Sequence, residues 1–310
     1  MACIEVNNLT KKFKTITAVD ELSFSVEEGE ILGFLGSNGA GKTTTINILT
    51  GLLLPTSGEA RLFGLDVVHD IQAVREKISL VPQTISLYEE LSVYENLEFF
   101  GGLYFDDDVM LRKRISEMCE VFKLTKLKDR RVSEISGGYQ RRTSFAAALI
   151  PKPKVLFLDE PLAGIDIQTH QLIIDYLRSL DNLTTILATH SLKDAEEICD
   201  KVMILDHGKK IFYGSPKNIA TESGAGVEEK MIVIFYNMKK LDEGKTALFS
   251  SLGKARFSGN TMEIKLQDKD KIFDFMKILE TVKDNILNIE MRKPKLKDVY
   301  EGIMENKNKN

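Results

Sequence analysis

The residues best suited to chemistry in this chain form one short run, GSNGAGKT, at positions 36–43. The run matches the template G-x-x-x-x-G-K-[ST] at every fixed position, a pattern typical of loops that bind nucleoside triphosphates. Glycines let the backbone approach phosphate oxygens closely, and a following helix would direct its free N–H groups at them. We call residues 36–44 the phosphate loop, and its predicted nucleotide-binding residues are Gly36, Ser37, Asn38, Gly39, Ala40, Gly41, Lys42, Thr43 and Thr44.

Two side chains of the phosphate loop have more specific predicted roles. Lys42 would place a positive charge near the β- and γ-phosphates, and the hydroxyl of Thr43 would be a ligand for Mg²⁺. A pair of adjacent acids, Asp159 and Glu160, follows the apolar run VLFL, which predicts a buried parallel strand. Ligands of open α/β sheets bind at the carboxyl ends of such strands, and carboxylates removed from water need a cation nearby. We therefore predict that Asp159 binds the metal and that Glu160 polarises an attacking water as general base.

A second anion-binding element is predicted at the string ISGGYQRR, residues 135–142, which precedes the apolar run TSFAAALI. Ser136 is a good N-cap, and Gly137 and Gly138 would expose backbone N–H groups at the start of a helix. We call residues 136–140 the serine–glycine segment, and its predicted nucleotide-binding residues are Ser136, Gly137, Gly138 and Gln140. Two anion sites in one chain suggest that one nucleotide is held between two chains.

These motifs, in this order, resemble the ATP-binding subunits of ABC transporters over about residues 1–220. The serine–glycine segment is similar to the family's signature motif in a common variant. The resemblance implies roles for residues at the other family positions, namely Phe13 stacking on adenine, Gln83 reaching Mg²⁺ and the attacking water, Gly164 and Asp166 in the D-loop, and His190 contacting the γ-phosphate. The implied catalytic residues are Glu160, His190 and Gln83, and the implied metal ligands are Thr43, Gln83 and Asp159. The sequence departs from the family at Ile135, usually leucine, and at Ala163, where a hydroxyl residue is common.

The resemblance also implies a function. Members of the family bind ATP and Mg²⁺, pair head to tail as two subunits around two ATP, and drive a separate membrane permease from the cytoplasmic face of the cell membrane. The segment LKDVY, residues 296–300, is similar to the ATPases of ABC-2 type exporters. The alternative is a soluble ABC ATPase that acts on ribosomes or DNA. Ribosome-acting members resemble tandem cassettes and DNA-repair members carry long coiled coils, and neither pattern is present in this sequence.

The elements that must position these residues alternate between strands and helices, which predicts an α/β fold with a P-loop NTPase core. Buried strands are predicted at residues 30–35, 155–158 and 184–189, and a helix at 43–49 is closed by Gly51. Further predicted elements are edge strands at 3–9 and 18–26, a helix at 71–78, a strand at 78–83 and a helix at 168–180. A helical pattern that begins with a capping box at Ser92 and Glu95 continues through 106–122, so a helical insert is expected at about 86–150.

The sequence changes character beyond Pro216, where the polar connector TESGAGVEEK precedes a predicted second domain at residues 228–310. Its patterns predict a strand at 231–237, a helix at 242–252, a hairpin turning at Gly259–Asn260, a helix at 269–282 and a strand at 286–292. The order βαββαβ is that of a small α+β, ferredoxin-like unit. This accessory domain carries no obvious catalytic cluster. A last helix is expected at 296–305, followed by a disordered tail at 306–310.

Composition limits the remaining possibilities. A chain of 310 residues with 43% hydrophobic content can form two or more domains, and a net charge of −4 does not favour nucleic acid as a partner. Cys3, Cys119 and Cys199 are odd in number and lack CxxC spacing, which predicts free thiols in a reducing cytosol. No stretch approaches the roughly eighteen apolar residues that a membrane span needs. We therefore expect any membrane span to come from another polypeptide.

Overall fold

The computed structural model describes residues 2–180, 182–216, 230–235, 243–266, 271–292, 296–297 and 299–301. The chain divides into two compact units, Met1–Pro216 and Lys217–Asn310, which are described separately. Most of the predicted connector, the predicted tail at 306–310, and positions 298 and 302–305 of the predicted last helix lie outside the described residues.

The first unit contains two sheets. Its strands, in chain order, are Ala2–Phe13 (β1), Ile16–Glu27 (β2), Ile31–Leu35 (β3), Ser57–Leu62 (β4), Leu65–Asp66 (β5), Ile78–Val81 (β6), Val155–Asp159 (β7), Thr184–Thr189 (β8), Lys201–Asp206 (β9) and Lys209–Gly214 (β10). An antiparallel sheet has the order β2-β1-β4-β5, and a second sheet has the order β10-β9-β3-β8-β7-β6. In the second sheet β10 is antiparallel to β9, whereas β9, β3, β8, β7 and β6 run parallel. The predicted edge sheet and P-loop core are therefore confirmed as mixed α/β sheets.

The central strands are buried on both faces, as their uninterrupted apolar sequences predict. Every residue of β7 and of β8 is buried. The edge sheet packs on the core sheet through aromatic rings, since Phe24 of β2 and Phe34 of β3 meet edge to face with ring centroids 5.5 Å apart. Ile46 and Leu49 belong to the same core cluster as both sheets. The helix that follows β3 is therefore held on both sides, which fixes the phosphate loop at its start.

The helices of the first unit are Lys42–Leu49 (α1), Ile71–Arg75 (α2), Val93–Gly102 (α3), Asp108–Val121 (α4), Gly137–Leu149 (α5), Ile167–Arg178 (α6) and Leu192–Ile198 (α7). The capping box at the start of α3 is confirmed, because Ser92 N donates to Glu95 Oε2 at 2.7 Å and Glu95 N donates to Ser92 Oγ at 3.1 Å. The predicted continuous pattern forms two helices, since Asp107 begins α4 with its own cap, accepting from Val109 N at 2.8 Å.

The helix expected at 71–78 is shorter than predicted. It ends at Arg75, and β6 already begins at Ile78. Lys77 O accepts hydrogen bonds from Lys154 N at 2.7 Å and Val155 N at 3.1 Å, so residue 77 is held by the start of β7. The strand pairing therefore overrides the local helical pattern.

Helices α3, α4 and α5 pack together as a helical insert between β6 and β7. Phe122, at the end of α4, lies with its ring centroid 6.2 Å from Phe145 of α5 and 5.2 Å from Tyr176 of α6. Arg114 of α4 donates to Leu149 O at 2.8 Å and to Ile150 O at 3.4 Å, which holds the C-terminal end of α5. These contacts give the helical insert a packed interior of its own and join it to α6.

The second unit contains the strands Lys230–Phe235 (β11), Gly253–Ser258 (β12), Thr261–Leu266 (β13) and Ile286–Arg292 (β14), and the helices Glu243–Leu252 (α8) and Lys271–Glu280 (α9). Its sheet is antiparallel, with the order β12-β13-β11-β14. The core includes Phe249 of α8 and Phe275 of α9, whose ring centroids are 5.7 Å apart. The helices therefore cover one face of the sheet.

Two expectations from composition can be compared with this structure. Cys3, Cys119 and Cys199 are all buried and free, as predicted. Burial raises the pKa of each thiol above its ordinary value. Among the helices that the structure describes, none has both the length and the apolar character required to cross a membrane.

Candidate functional site

The phosphate loop lies at the carboxyl end of β3, where the chain turns into α1. Gly41 is the residue before α1 and has φ of 103°, and a Cβ there would lie 2.5 Å from Ala18 O. Only glycine fits this backbone and this space. No side chain caps α1 at Gly41. The free N–H groups of the first turn therefore remain available to phosphate oxygens.

Lys42 is buried at the base of this loop, with only 6% of the residue exposed. Its Nζ donates to Gly36 O at 2.7 Å and to Ser37 O at 3.2 Å, and it lies 3.5 Å from Glu160 Oε1. A buried ammonium needs such partners, because desolvating an unpaired charge is costly. The lysine charge is thus concentrated between the loop and the acid that follows β7.

Asp159 and Glu160 lie at the carboxyl end of β7 and are both buried. Asp159 Oδ1 accepts a hydrogen bond from Thr43 Oγ1 at 3.1 Å. Burial raises the pKa of Asp159, the hydrogen bond from Thr43 opposes that shift, and the neighbouring charge of Glu160 adds to it. Two of the three side chains predicted to bind metal, the Thr43 hydroxyl and the Asp159 carboxylate, therefore lie side by side, and oxygen donors of this kind suit Mg²⁺.

Glu160 has an unusual backbone and an incompletely bonded carboxylate. Its φ is 46°, in the left-handed region, and its N–H donates to Ala188 O of β8 at 2.9 Å. Oε2 pairs with His190 Nδ1 at 2.8 Å, whereas Oε1 is buried and accepts no hydrogen bond from the described residues. Oε1 faces Lys42 Nζ at 3.5 Å, so the carboxylate lies between a lysine and a histidine, and a carboxylate held in this way can serve as a general base.

His190 follows β8, the strand between β3 and β7 in the sheet. Its side chain is 63% exposed, while Nδ1 is held by Glu160. The structure therefore brings Lys42, Thr43, Asp159, Glu160 and His190 together at the carboxyl ends of three neighbouring strands. This is the edge of an open α/β sheet at which ligands bind.

Gln83 follows β6, the fourth parallel strand at the same edge, and its side chain is exposed. Arg141 of α5 holds the backbone there, donating from Nη1 to Pro82 O at 2.8 Å and from Nη2 to Gln83 O at 2.6 Å. Arg141 is 5% exposed, and burial lowers the pKa of its guanidinium. Sequence reasoning did not assign a role to this arginine. Its signal was a charged side chain just before the run TSFAAALI, in a helix whose later residues are mostly buried.

The serine–glycine segment begins α5. No side chain caps this helix at Ser136, and Ser136 and Gly137 are exposed. A Cβ added at Gly137 would meet nothing within 4 Å, whereas one at Gly138 would lie 2.4 Å from Asp166 Oδ2. Among the described residues, no hydrogen bond or ion pair joins residues 136–140 to the group around Lys42. The described hydrogen bonds and ion pairs therefore do not connect the serine–glycine segment to the phosphate loop of the same chain.

Gln140 was predicted to bind nucleotide, but its amide is used within the chain. Nε2 donates to Val132 O at 2.9 Å and to Ile135 O at 3.3 Å, so the side chain supports the turn that precedes Ser136. Arg142, two residues further on, donates to Thr169 Oγ1 at 2.9 Å and lies over the ring of Tyr139, 4.8 Å from its centroid. The bond between Arg142 and Thr169 joins residues 27 apart in the sequence, so spacing alone did not identify it.

The predicted D-loop residues Gly164 and Asp166 lie just before α6. Asp166 caps that helix, since its carboxylate accepts from Thr169 N at 2.9 Å and from Thr169 Oγ1 at 2.7 Å. These two bonds, the backbone one first, lower the pKa of Asp166. Gly164 has φ of 70°, and both Gly164 and Ala163 are exposed. Asp166 thus caps α6, while the small residues Ala163 and Gly164 are exposed to solvent.

Phe13 ends β1 and is 44% exposed. Lys11 Nζ lies 5.1 Å from the centroid of its ring. The ring of Phe13 is therefore accessible to a planar ligand, and it does not belong to the hydrophobic core cluster of the first unit.

The fold and this site define the class of the protein. A phosphate loop after β3, acids after β7 and an open parallel sheet edge are the parts of a P-loop nucleotide-binding ATPase.

Comparison with known proteins narrows this class. The family model described as ABC transporter matches residues 19–163. The chain is 39% identical over 229 residues to the Nod factor export ATP-binding protein I of Ralstonia nicotianae, covering 73% of this chain and 71% of that protein. It is 33% identical over 307 residues to the doxorubicin resistance ATP-binding protein DrrA of Mycobacterium tuberculosis, covering 96% and 92% of the two chains.

A solved structure shares the fold. It is an ATP-binding cassette in a dimeric, post-hydrolysis state bound to ADP and phosphate, with a TM-score of 0.64 and 26% identity over 68% of this chain and 98% of that one. The chain belongs to the ABC transporter family, as one of its ATP-binding proteins, and it binds and hydrolyses ATP.

Proposed function

We propose that this chain is the ATPase subunit of an exporter, and that two copies close head to tail around two ATP to drive a separate membrane permease. One observation carries the proposal. Helices α1 and α5 both begin without a side-chain cap, yet Lys42, Asp159 and Glu160 surround only the first of them. Two copies would complete each other, because the open start of α5 in one can cover the nucleotide on the phosphate loop of the other. The names of the relatives, which refer to export and drug resistance, support the direction of transport.

The roles proposed within one site combine the contacts around Lys42 with the family positions of Phe13 and Gln83. Lys42 and the N–H groups of residues 36–44 would hold the β- and γ-phosphates, and Phe13 would stack on the adenine. Thr43, Asp159 and Gln83 would hold Mg²⁺, which when bound neutralises charge on the β- and γ-phosphate oxygens.

The chemical step falls to Glu160 and His190. Glu160 would take the proton of the attacking water through its carboxylate, whose Oε1 lies 3.5 Å from Lys42 Nζ and accepts no hydrogen bond from the described residues. His190 would hold Oε2 and present its ring to the γ-phosphate from the exposed side of the site. Ser136, Gly137, Gly138 and Gln140 would act on the nucleotide of the second copy, the first three at the phosphates and Gln140 by supporting their turn.

The proposed permease would dock in an apolar groove between the core and the helical insert. The groove has a volume of about 330 Å³, and its lining includes Leu52, Leu80, Leu87, Phe100, Leu103 and Tyr104. Leu103 is 68% exposed and Leu52 is 62% exposed. An apolar groove of this kind suits a short helix of a membrane protein, and Pro82 links it to the Gln83 loop. Replacing Leu103 with glutamate should lower permease binding in a pull-down while leaving basal ATPase activity unchanged.

The domain organisation is part of the proposal. We assign residues 1–220 to the ATP-binding domain, with a helical subdomain at about 86–150, and residues 228–310 to an accessory α+β domain. The division of the chain at Pro216 supports this assignment. The sheet order β12-β13-β11-β14, with α8 after the first strand and α9 after the third, supports a ferredoxin-like classification. With a membrane partner, the protein would lie at the cytoplasmic face of the cell membrane.

The decisive experiment uses Glu160→Gln, which removes the proton acceptor and keeps the size of the side chain. Turnover should fall about 10²- to 10⁴-fold because general base catalysis is lost. ATP should remain bound and hold two copies together, so size-exclusion chromatography in excess ATP should show a dimer. Glu28→Gln, the same change at an exposed glutamate, should leave both turnover and elution unchanged.

Two results would count against the proposal. A monomer that still retains ATP would contradict the shared site. Co-purification with ribosomal particles or DNA, rather than with a hydrophobic membrane protein, would favour a soluble ABC ATPase in its place.

A further inference from the structure

Arg141 is a buried arginine whose hydrogen bonds, within the described part of the chain, are made to backbone carbonyls. It lies in α5, five residues after Ser136, and its two terminal nitrogens donate to the adjacent carbonyls of Pro82 and Gln83. Among the described residues, no carboxylate lies within ion-pair distance of it. The planar guanidinium donates two bonds from a fixed fork, so it specifies the position of both carbonyls at once. The Gln83 backbone is therefore tied directly to the helix that begins with the serine–glycine segment.

The adjacent arginine makes a different connection. Arg142 donates to Thr169 Oγ1, and Thr169 in turn donates to Asp166. Neighbouring residues of α5 thus reach two separate loops, the Gln83 loop through Arg141 and the D-loop through Arg142. Of the two, only Arg141 contacts the loop that is proposed to serve the chain's own ATP.

We infer that Arg141 is a positioning residue that couples the two ATP sites of the dimer. This inference rests on the proposed function, in which Ser136–Gly138 contact the nucleotide of the partner while Gln83 serves the nucleotide of its own chain. A movement of α5 on meeting the partner's nucleotide is then carried through the guanidinium to the Pro82 and Gln83 carbonyls. Occupation of one site thereby sets the position of Gln83 at the other, which makes turnover depend cooperatively on ATP.

The test compares Arg141→Met, Arg141→Lys and the matched control Arg114→Met. Arg114 likewise donates to two backbone carbonyls of the α5 region, but at the opposite end of that helix, at Leu149 and Ile150, and it is partly exposed and pairs with Glu117. Turnover is measured against ATP concentration, with thermal unfolding recorded for every variant. We expect wild-type cooperativity with a Hill coefficient above about 1, and Arg141→Met to lower that coefficient to about 1.

The size of the effect should also separate the variants. Turnover of Arg141→Met should fall by about 5- to 150-fold, the usual range of coupling between sites. Arg141→Lys should recover part of the cooperativity, because an ammonium can donate to one carbonyl but does not form the planar fork. Arg114→Met should lower the unfolding temperature while keeping the Hill coefficient of the wild type, since it loosens the insert without touching Gln83.

A second measurement does not depend on how well an Arg141 variant folds. Hydrogen exchange on the Glu160→Gln protein, with and without ATP, should show amides 83–87 and 137–141 gaining protection together. Exchange at 83–87 that is unchanged when 137–141 become protected would overturn the inference.

The remaining outcomes are equally distinct. A wild-type dimer with a Hill coefficient of about 1, an unchanged coefficient in Arg141→Met, or an equal fall in Arg114→Met would overturn the coupling role and leave the dimer intact. Failure of Glu160→Gln to dimerise in ATP would instead remove the proposed function on which the inference rests.

Discussion

The phosphate loop and the serine–glycine segment are built alike and surrounded differently. Each leads into a helix that begins without a side-chain cap, α1 after Gly41 and α5 after Ser136. The first has a buried lysine and two buried acids around it, while the second leaves Gly137 open to solvent. An uncapped helix start therefore has charged side chains of its own chain around it in the first region, which we call complete. The second region, open to solvent at Gly137, is called incomplete. The difference is the one that the proposed head-to-tail dimer requires, in which the second region meets a nucleotide held by another copy.

The largest effect is expected where the site is complete. Lys42→Ala removes the only charge that the loop directs at the phosphates and leaves Glu160 buried without its cation. Turnover should fall by at least about 10²-fold, as when one preorganised electrostatic partner is deleted, and ATP binding should weaken. Lys113→Ala, at an exposed lysine of α4, is the control. Turnover near that of wild type in Lys42→Ala would show that the loop is not the phosphate site.

Substitutions at Gly137 and Gly138 test the difference between the serine–glycine segment and the phosphate loop. Gly138→Ala places a Cβ 2.4 Å from Asp166 Oδ2, whereas Gly137→Ala meets nothing within 4 Å of its own chain. Overpacking at Gly138 should cost about 1–3 kcal/mol of unfolding free energy, while Gly137→Ala should unfold like the wild type. Both variants should lose turnover, Gly137→Ala only because its methyl group meets the partner's nucleotide.

Denaturant unfolding and the ATP-bound dimer of the Glu160→Gln background distinguish these cases. An intact dimer with full affinity in Gly137→Ala would mean that the open face meets no nucleotide. The two regions would then differ in structure alone.

A smaller effect is expected at Gln140. Gln140→Glu replaces the amide donor with a carboxylate that faces the carbonyls of Val132 and Ile135, so two acceptors lose their donor. The unfolding free energy should fall by about 1–3 kcal/mol, and turnover should fall several-fold because Ser136 loses support. Gln72→Glu, on the exposed side of α2, should change neither quantity. Unchanged turnover with lowered stability would limit Gln140 to folding.

The smallest effect is expected at Phe13. Phe13→Ala removes a ring that is 44% exposed. In the proposed complex this ring stacks on the adenine and takes no part in the chemical step. The ATP concentration for half-maximal turnover should rise about 2- to 10-fold, since a stacked aromatic pair contributes about 0.5–1.5 kcal/mol. Maximal turnover should be unchanged, and Phe13→Tyr should behave as wild type. A fall in maximal turnover would place Phe13 in the catalytic step rather than in base stacking.

The sequence predicts the complete region well because its signals are local. The phosphate loop is one contiguous motif, and Asp159 and Glu160 follow directly from the apolar strand that precedes them. Parallel strands align at their carboxyl ends, so the meeting of Thr43, Asp159 and His190 could be expected without knowing any distance. The capping box at Ser92 and the buried strands β7 and β8 were predictable for the same reason.

The incomplete region depends on contacts that no local pattern contains. The bond from Arg141 to Gln83 spans 58 residues, and the approach of Gly138 to Asp166 joins two separate helix starts. The binding of nucleotide by Gln140 stays a prediction, and the structure adds that its amide bonds to the carbonyls of Val132 and Ile135 in the preceding turn. The helix at Ile71 was overestimated because the carbonyl of Lys77 accepts a hydrogen bond from the first residue of β7, 78 residues later. Tertiary pairing decides such cases, and it is visible only in three dimensions.

The left-handed backbone of Glu160 has a consequence for how this protein could be improved. A non-glycine residue at φ of 46° carries a conformational cost of about 1–3 kcal/mol, which glycine would not carry. Selection for thermostability alone would therefore favour replacing the residue that we propose as the general base. Stability and activity oppose each other at this position, so screens for robust variants should hold Glu160 constant and seek their gains elsewhere.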